Sequence, residues 1–187
     1  MGCGDILKLA DAKKSIVKEQ IEDYHIVMLS THAMGNIAND NPIPWIALYD
    51  EQLLLPELYA LNLSAKLFIF NACQSSRGTS KSGEGTMSIV RGIAYAGCPS
   101  IFSTLWTVDE ENNIKIVESY IYFLEDGYTK DEALYQAKIN YLENNDESHP
   151  HFWTGVVQIG DLTPIFEDES WGDWLSRKLL CKSVGNE

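Results

Sequence analysis

The chain has 187 residues, with 14 Lys and Arg against 27 Asp and Glu, which gives a formal charge of −13. An acidic balance of this size argues against a phosphate-binding surface, and so against nucleic acid as a partner. No apolar run approaches the roughly 20 residues of a membrane-spanning helix, and the N-terminus lacks the features of a secretory signal, so we expect one cytoplasmic domain without membrane contact.

The N-terminal half alternates between helical and strand-like periodicity. The pattern predicts a helix over 12–23 that leads directly into a buried strand over 24–31. Two short apolar pieces within 45–55 predict a hairpin, and Pro56 can open a short helix. The apolar stretch 66–72 predicts a second buried strand.

The C-terminal half continues the same alternation. Its predicted elements are a helix over 84–97, a strand over 100–105, a helix over 109–126, a helix over 130–142 and a strand over 152–159. From Asp161 onward acidic residues replace the apolar periodicity, so we expect a loose tail with one short helix around 171–180. Apolar strands separated by helices predict an α/β fold with a parallel sheet.

In such sheets functional residues follow the carboxyl ends of the strands. His32, Cys73 and Trp106 follow the first three long strands, so His32 and Cys73 meet in one cleft if their strands are neighbours. A thiolate is a nucleophile, imidazole can accept the thiol proton, and backbone N–H groups of Ala33 and Cys73 can bind an oxyanion. This arrangement predicts acyl transfer, and the alternative is that Cys73 is a small buried hydrophobe.

Other histidines and cysteines favour structural roles. His149 and His151 are spaced as HxH, but neither Asp nor Cys stands at ligand spacing beside them, so no metal site is predicted. The four cysteines form no CxxC pair and no dense framework, which predicts reduced thiols. Cys98 lies before Pro99 at a helix end and is interpreted as packing.

Five segments, taken in order, resemble one known family. They are LSTHA (29–33), LFIFNACQSS (67–76), GEG (83–85), AYAGCPSIFSTLWTVDE (94–110) and HPHFWTGVVQIGD (149–161). Together they resemble the CHAT domain, a caspase-like peptidase family often found behind tetratricopeptide repeats in bacteria. The resemblance divides the chain into a partial N-terminal segment (1–11), a CHAT domain (12–161) and an acidic C-terminal tail (162–187).

The resemblance implies a caspase-hemoglobinase fold, a three-layer sandwich around a mainly parallel central sheet. It also implies a His–Cys dyad without metal or cofactor, in which the family's histidine matches His32 and its cysteine matches Cys73. Trp106 and Asp109 stand where caspase-like enzymes bind substrate. The alternative for Trp106 is an indole packed in the core. For Asp109 the alternative is a helix N-cap, and this interpretation is favoured.

The chain departs from the family at several positions. Asn71 stands where serine is usual, 74–76 differ from the frequent Glu-Thr-Gly, and Ala33 replaces a frequent glycine. The family's first strand and helix are expected to be missing, because only eleven residues precede Ala12. The chain is then a fragment, a degraded paralogue or a protein completed by another chain, with an exposed sheet edge at the gap.

These observations predict a cysteine endopeptidase that cuts a specific protein substrate through an acyl-enzyme on Cys73, with His32 as general acid and base. The runner-up is a noncatalytic interaction or scaffold domain of the same fold, and a small-molecule thiol hydrolase is a weaker third. The expected partner is the protein substrate, together with either a repeat-containing regulatory module or a chain that supplies the missing strand.

Overall fold

The computed structural model describes residues 6–8, 11–34, 43–73, 84–106, 108–146, 148–165 and 179–183. Its strands are β1 (Ile6–Lys8), β2 (Ile26–Met34), β3 (Trp45–Ala47), β4 (Gln52–Leu54), β5 (Leu67–Cys73), β6 (Ser100–Thr104), β7 (Val156–Gly160) and β8 (Leu179–Ser183). Its helices are α1 (Lys14–Gln20), α2 (Leu55–Tyr59), α3 (Glu84–Tyr95), α4 (Glu110–Glu125) and α5 (Lys130–Asn144). The periodic segments of the sequence thus form the predicted types of element.

The strands form one mixed sheet in the order β1-β8-β2-β5-β6-β7. All neighbours along this path are parallel except β7, which runs antiparallel to β6. The β3–β4 hairpin joins the sheet through antiparallel pairing of β3 with the end of β2. The predicted α/β class and mainly parallel sheet are confirmed.

Helices cover both faces of the sheet, so the fold has three layers. The first apolar core, called the α1–α3 core, contains Val17 of α1, Leu58 of α2 and Ile93 of α3. The second, called the α4–α5 core, contains Tyr120 of α4 and Ala137 of α5. Because the central strands are buried on both sides, they read as nearly continuous apolar runs. This layering is compatible with the caspase-like fold.

Among the strand boundaries that differ from the sequence-based expectation, three bear on the candidate site. β2 runs to Met34 and β5 to Cys73, so both strands extend past their predicted ends and include the candidate histidine and cysteine. β7 starts at Val156 rather than at 152, because Pro150–Phe152 form a 3-10 turn. The proline begins that turn, where its missing N–H is tolerated.

The C-terminal region contributes a strand where a helix was expected. Residues 179–180, at the end of the helix predicted around 171–180, lie in β8 instead, and 171–178 are outside the described residues. β8 pairs in parallel with β1 on one side and β2 on the other. Pairing of both backbone edges outweighs the weak local preference of this segment, which is the usual way tertiary context decides a strand.

β8 also fills the place where an exposed edge was expected. Along Ile26–Ser30, β2 is paired with β8 on one side and with β5 on the other. In the described residues the expected exposed edge therefore does not lie beside this stretch of β2. The predicted absence of the family's first strand and helix stays a prediction. No helix in the described part of the chain is long and apolar enough to cross a membrane.

Candidate active site

The two candidate catalytic residues lie side by side at the carboxyl ends of neighbouring central strands. β2 and β5 pair in parallel from Ile26↔Leu67 to His32↔Cys73, so His32 and Cys73 are register partners in the last pair of this ladder. Neighbouring strands lie about 4.8 Å apart. The structure therefore brings together the two backbone positions that the sequence predicted as a pair.

Both positions belong to the same face of the sheet. Met28 of β2 packs against the α4–α5 core, and its register partner Ile69 of β5 lies in that core. Side chains alternate along a strand, and His32 and Cys73 each follow these residues by four positions. The pattern places both on the face covered by α4 and α5. For Cys73 the structure describes the backbone alone, and His32 is half-buried.

The β3–β4 hairpin holds the end of β2. The hydroxyl of Thr31, directly before His32, donates a hydrogen bond to the carbonyl of Ala47 at 2.8 Å. Ala33, directly after it, is buried and pairs with Ile46. These contacts fix the backbone on both sides of the histidine. The oxyanion role of the Ala33 and Cys73 N–H groups stays a prediction.

A buried amide pair joins β5 to α4 below the end of the strand. Nδ2 of Asn113 donates a hydrogen bond to Oδ1 of Asn71 at 2.5 Å, and the two residues are 1% and 4% exposed. Asn71 precedes Cys73 by two positions, so it lies on the same face of β5. This pair is a buried, directional polar contact between β5 and the start of α4.

Asp109 caps the helix that carries Asn113. Its carboxylate accepts hydrogen bonds from the backbone N–H of Asn112 at 3.2 Å and from the Asn112 amide at 3.1 Å. The favoured N-cap interpretation of Asp109 is thus confirmed. The side chain also faces an open cleft of about 580 Å³ between the start of α4, the end of α5 and the turn before β7. Asp109 can therefore cap the helix and line the cleft at the same time.

Trp106 is held at the same edge of the sheet by the turn before β7. Its indole N–H donates to the carbonyl of His151 at 2.9 Å, and its ring stacks on the His151 imidazole with centroids 5.9 Å apart. Gly155 lies so close that a Cβ there would be 2.5 Å from the indole. The tryptophan is half-buried, so part of its ring faces solvent beside the strand ends.

The two histidines of the HxH segment and Cys98 have structural surroundings. Nδ1 of His149 accepts a hydrogen bond from the backbone N–H of His151 at 3.2 Å, which caps the 3-10 turn. Within the described ranges, no three His, Cys, Asp or Glu residues cluster as a metal site does. Cys98 is a buried free thiol that donates to the carbonyl of Ser100, and burial raises the pKa of this thiol to about 11.

Sequence reasoning missed Asn113, although a signal for it exists. Asn113 stands three and four positions before the buried Ile116 and Val117, so it falls on the apolar face of α4. Asn71 similarly interrupts an apolar strand. A buried polar residue requires a hydrogen-bond partner, so each interruption predicts that a partner exists without identifying it.

One comparison with known proteins identifies a family for most of the chain. A family model described as the CHAT domain matches residues 2–161, which is most of the chain. The matched range contains β1 through β7 and all five helices, together with His32, Asn71, Cys73 and Asn113. Comparison with curated proteins gives no match.

Proposed function

Because the chain belongs to the CHAT domain family, which is related to the caspase-like cysteine peptidases, we propose that it is a cysteine endopeptidase acting on a protein substrate. Cys73 is the nucleophile and His32 is the general acid and base. The observation that carries this proposal is the register pair His32↔Cys73 at the carboxyl ends of two adjacent parallel strands.

The proposed reaction has two halves. His32 accepts the thiol proton, the Cys73 sulfur forms a bond to the scissile carbonyl carbon, and the carbonyl electron pair moves to oxygen. The tetrahedral adduct collapses as the C–N bond breaks, and His32 returns the proton to the leaving amine. Water, deprotonated by His32, then attacks the thioester carbon. The C–S bond breaks and His32 returns the proton to the sulfur, which releases the new carboxyl end and the free thiol.

Backbone N–H groups stabilise the oxyanion in this proposal. Those of Ala33 and Cys73 are the candidates, because each belongs to or adjoins a dyad residue at the end of its strand. Fixed backbone donors need no reorganisation as charge develops, and one such donor typically contributes a hundredfold or more in rate.

Trp106 and Asp109 are proposed to contact the substrate. Trp106 already donates its indole N–H to His151, so it offers the substrate its ring rather than a hydrogen bond. Asp109 keeps free acceptor capacity while it caps α4, and it lines the open cleft. Because this cleft adjoins the start of α4, it is the proposed path of a substrate side chain.

The first prediction tests the dyad by covalent labelling with a peptidyl electrophile that carries a fluorophore. Cys73→Ala should abolish labelling and peptide cleavage, because it removes the only proposed nucleophile. His32→Ala should slow labelling of Cys73 by about 10²–10⁴-fold, the usual contribution of a positioned acid and base. The rate is measured from gel fluorescence against time, with the labelled residue identified by peptide mass spectrometry.

Cys98→Ala is the matched control, since Cys98 is a buried thiol before the start of β6, whereas Cys73 lies at the opposite, carboxyl end of the parallel strand β5. It should retain both labelling and cleavage. Equal labelling of Cys73→Ala and the parent chain would refute the assignment of the nucleophile. Labelling that depends on Cys73 but not on His32, without any peptide cleavage, would instead favour the noncatalytic interaction domain.

A further inference from the structure

We propose that the amide pair Asn71–Asn113 is a positioning device that holds the end of β5, and with it Cys73, at a fixed place against α4. The inference rests on the proposed roles of Cys73 and His32. It assigns to two residues outside the dyad the task of setting the geometry between nucleophile and base.

The end of β5 is supported unequally by its two neighbouring strands. On the β2 side the register extends to the last residue, His32↔Cys73. On the β6 side it covers Phe68↔Ile101 and Ile69↔Phe102, four residues short of the strand's end. The ladder to β6 therefore does not by itself fix the position of Cys73.

The amide pair makes a contact on the less supported stretch. Asn71 lies two residues beyond the last β6 register pair and two residues before Cys73. Its Oδ1 accepts the hydrogen bond of Asn113 at 2.5 Å in a site where both residues are nearly inaccessible to solvent. A buried hydrogen bond is not replaced by water when the backbone shifts, so a shift of the strand end leaves both groups unsatisfied.

Asn113 is itself a firmly held partner. Its backbone N–H donates to the carbonyl of Asp109 at 2.9 Å in the first turn of α4, and the Asp109 side chain caps that turn. One turn further on, Ile116 packs in the α4–α5 core with Ile69 of β5. The start of α4 is thus anchored by its cap and by the core, and it provides a fixed point for Asn71.

A polar pair performs this task better than an apolar one. Apolar side chains pack with little directional preference, whereas a hydrogen bond restricts both distance and angle. Placement at the dyad is demanding, because a misplacement of about 1 Å can cost around a hundredfold in rate. The pair therefore acts through Cys73 rather than on the substrate.

The second prediction measures alkylation of Cys73 by iodoacetamide from pH 5 to 10, with peptide mass spectrometry to resolve each cysteine. Asn71→Ala and Asn113→Ala should each lower the rate at pH 7 by about tenfold to a hundredfold. They should also move the pH profile toward an ordinary cysteine, whose pKa is about 8.5. The double variant should lose no more than either single one, since both remove the same contact.

Two controls separate positioning from folding. Asn140→Ala removes an exposed asparagine that bonds Ser119 on the surface of the same helix pair, and it should leave the Cys73 profile unchanged. Cys98 reports global opening, because it is buried and reacts only when the fold opens. If Asn113→Ala opens the fold, the test uses Asn71→Ser in its place, because serine keeps a short polar side chain at this position. The Cys73 alkylation profile of that variant is then compared with that of the parent chain.

The outcomes distinguish this inference from the proposed function. A Cys73 profile within twofold of the parent in both asparagine variants, with His32→Ala still slow, overturns the positioning role alone. Equal rates in the parent chain and His32→Ala overturn the dyad itself. A shift in the asparagine variants without peptide cleavage by the parent chain supports positioning and removes the peptidase assignment.

Discussion

Gly160, the last residue of β7, occupies a position that excludes any side chain. Its φ is +94°, in the left-handed region, and a Cβ there would overlap the carbonyl oxygen of Pro99. That carbonyl accepts a hydrogen bond from the N–H of Asp161 at 2.8 Å, so it cannot move aside without losing a contact. Both the backbone angle and the close approach therefore require glycine at this point.

The third prediction compares Gly160→Ala with Gly127→Ala. The first should lower the free energy of unfolding by about 2–5 kcal/mol, from about 1–2 for the left-handed backbone and about 1–3 for the overlap. Gly127 has φ +84° but no atom within 4 Å of its hypothetical Cβ, so it should lose only the backbone part. Urea denaturation measures both values. Equal losses would show that the contact with Pro99 contributes nothing.

Among the elements, α5 is fixed at its first residue to the segment that follows β7. The Lys130 side chain is 2% exposed and its Nζ lies 2.9 Å from Oδ2 of Asp161, whose side chain is 40% exposed. The Lys130 N–H donates to the carbonyl of Leu162 at 3.0 Å. The hydroxyl of Thr163 and then the Lys130 ammonium lower the pKa of Asp161 to about 2. This junction therefore depends on an ionised carboxylate.

The fourth prediction concerns pH. The pKa of Asp161 is lower in the folded protein than its ordinary 3.8, so its stabilising effect is complete above about pH 4 and disappears as the pH falls to about 2. Because the carboxylate is partly exposed, solvent screening limits the effect to about 1 kcal/mol. Asp161→Asn should lower stability by this amount at pH 6 and by progressively less towards pH 2.

Urea unfolding at each pH measures the difference between parent and variant. A difference for Asp161→Asn that stays constant from pH 6 to pH 2 would contradict the role of the ionised carboxylate.

The elements that the sequence predicts well are those whose periodicity is strong. The predicted limits of α4 are within one residue of the observed ones, and they rest on apolar residues at spacings of three and four, namely Ile114, Val117, Tyr120, Ile121 and Leu124. The apolar run of β5 likewise identifies a central strand. The pairing of His32 with Cys73 follows from the same logic, because parallel neighbouring strands end at one edge.

The contacts that the sequence does not predict depend on how elements are placed in three dimensions. Asn113 meets Asn71 across 42 positions of sequence only because α4 lies over β5 with one particular rotation about its axis. β8 has no alternating pattern, and its strand state depends on the space between β1 and β2. The helix predicted around 171–180 rests on local preference alone, because the pairing with β1 and β2 cannot be read from this segment.

At the scale of the whole molecule, the sheet uses both ends of the chain. β1 near the N-terminus and β8 near the C-terminus pair in parallel over Ile6↔Cys181 to Lys8↔Ser183. β8 in turn pairs with β2 from Ile26↔Leu179 to Ser30↔Ser183, and β2 continues directly to His32. The strand that carries the candidate base is thus held on one side by a segment about 150 residues away in sequence. Loss of β8 would expose one backbone edge of β2 and one of β1.

The fifth prediction is that deletion of 179–187 destabilises the protein and slows the candidate nucleophile. The deletion removes the ladders between β8 and both of its neighbours, so the free energy of unfolding should fall by several kcal/mol. In a chain of this size each kcal/mol lowers the melting temperature by about 2–4 °C. Amide hydrogen exchange of Ile26–Ser30 should become faster, and alkylation of Cys73 should become slower because His32 loses its fixed place. Deletion of 184–187 alone keeps β8 and is the matched control. If both deletions give the same melting temperature and the same exchange, β8 contributes nothing to the sheet, and β2 is held by β5 and the β3–β4 hairpin without it.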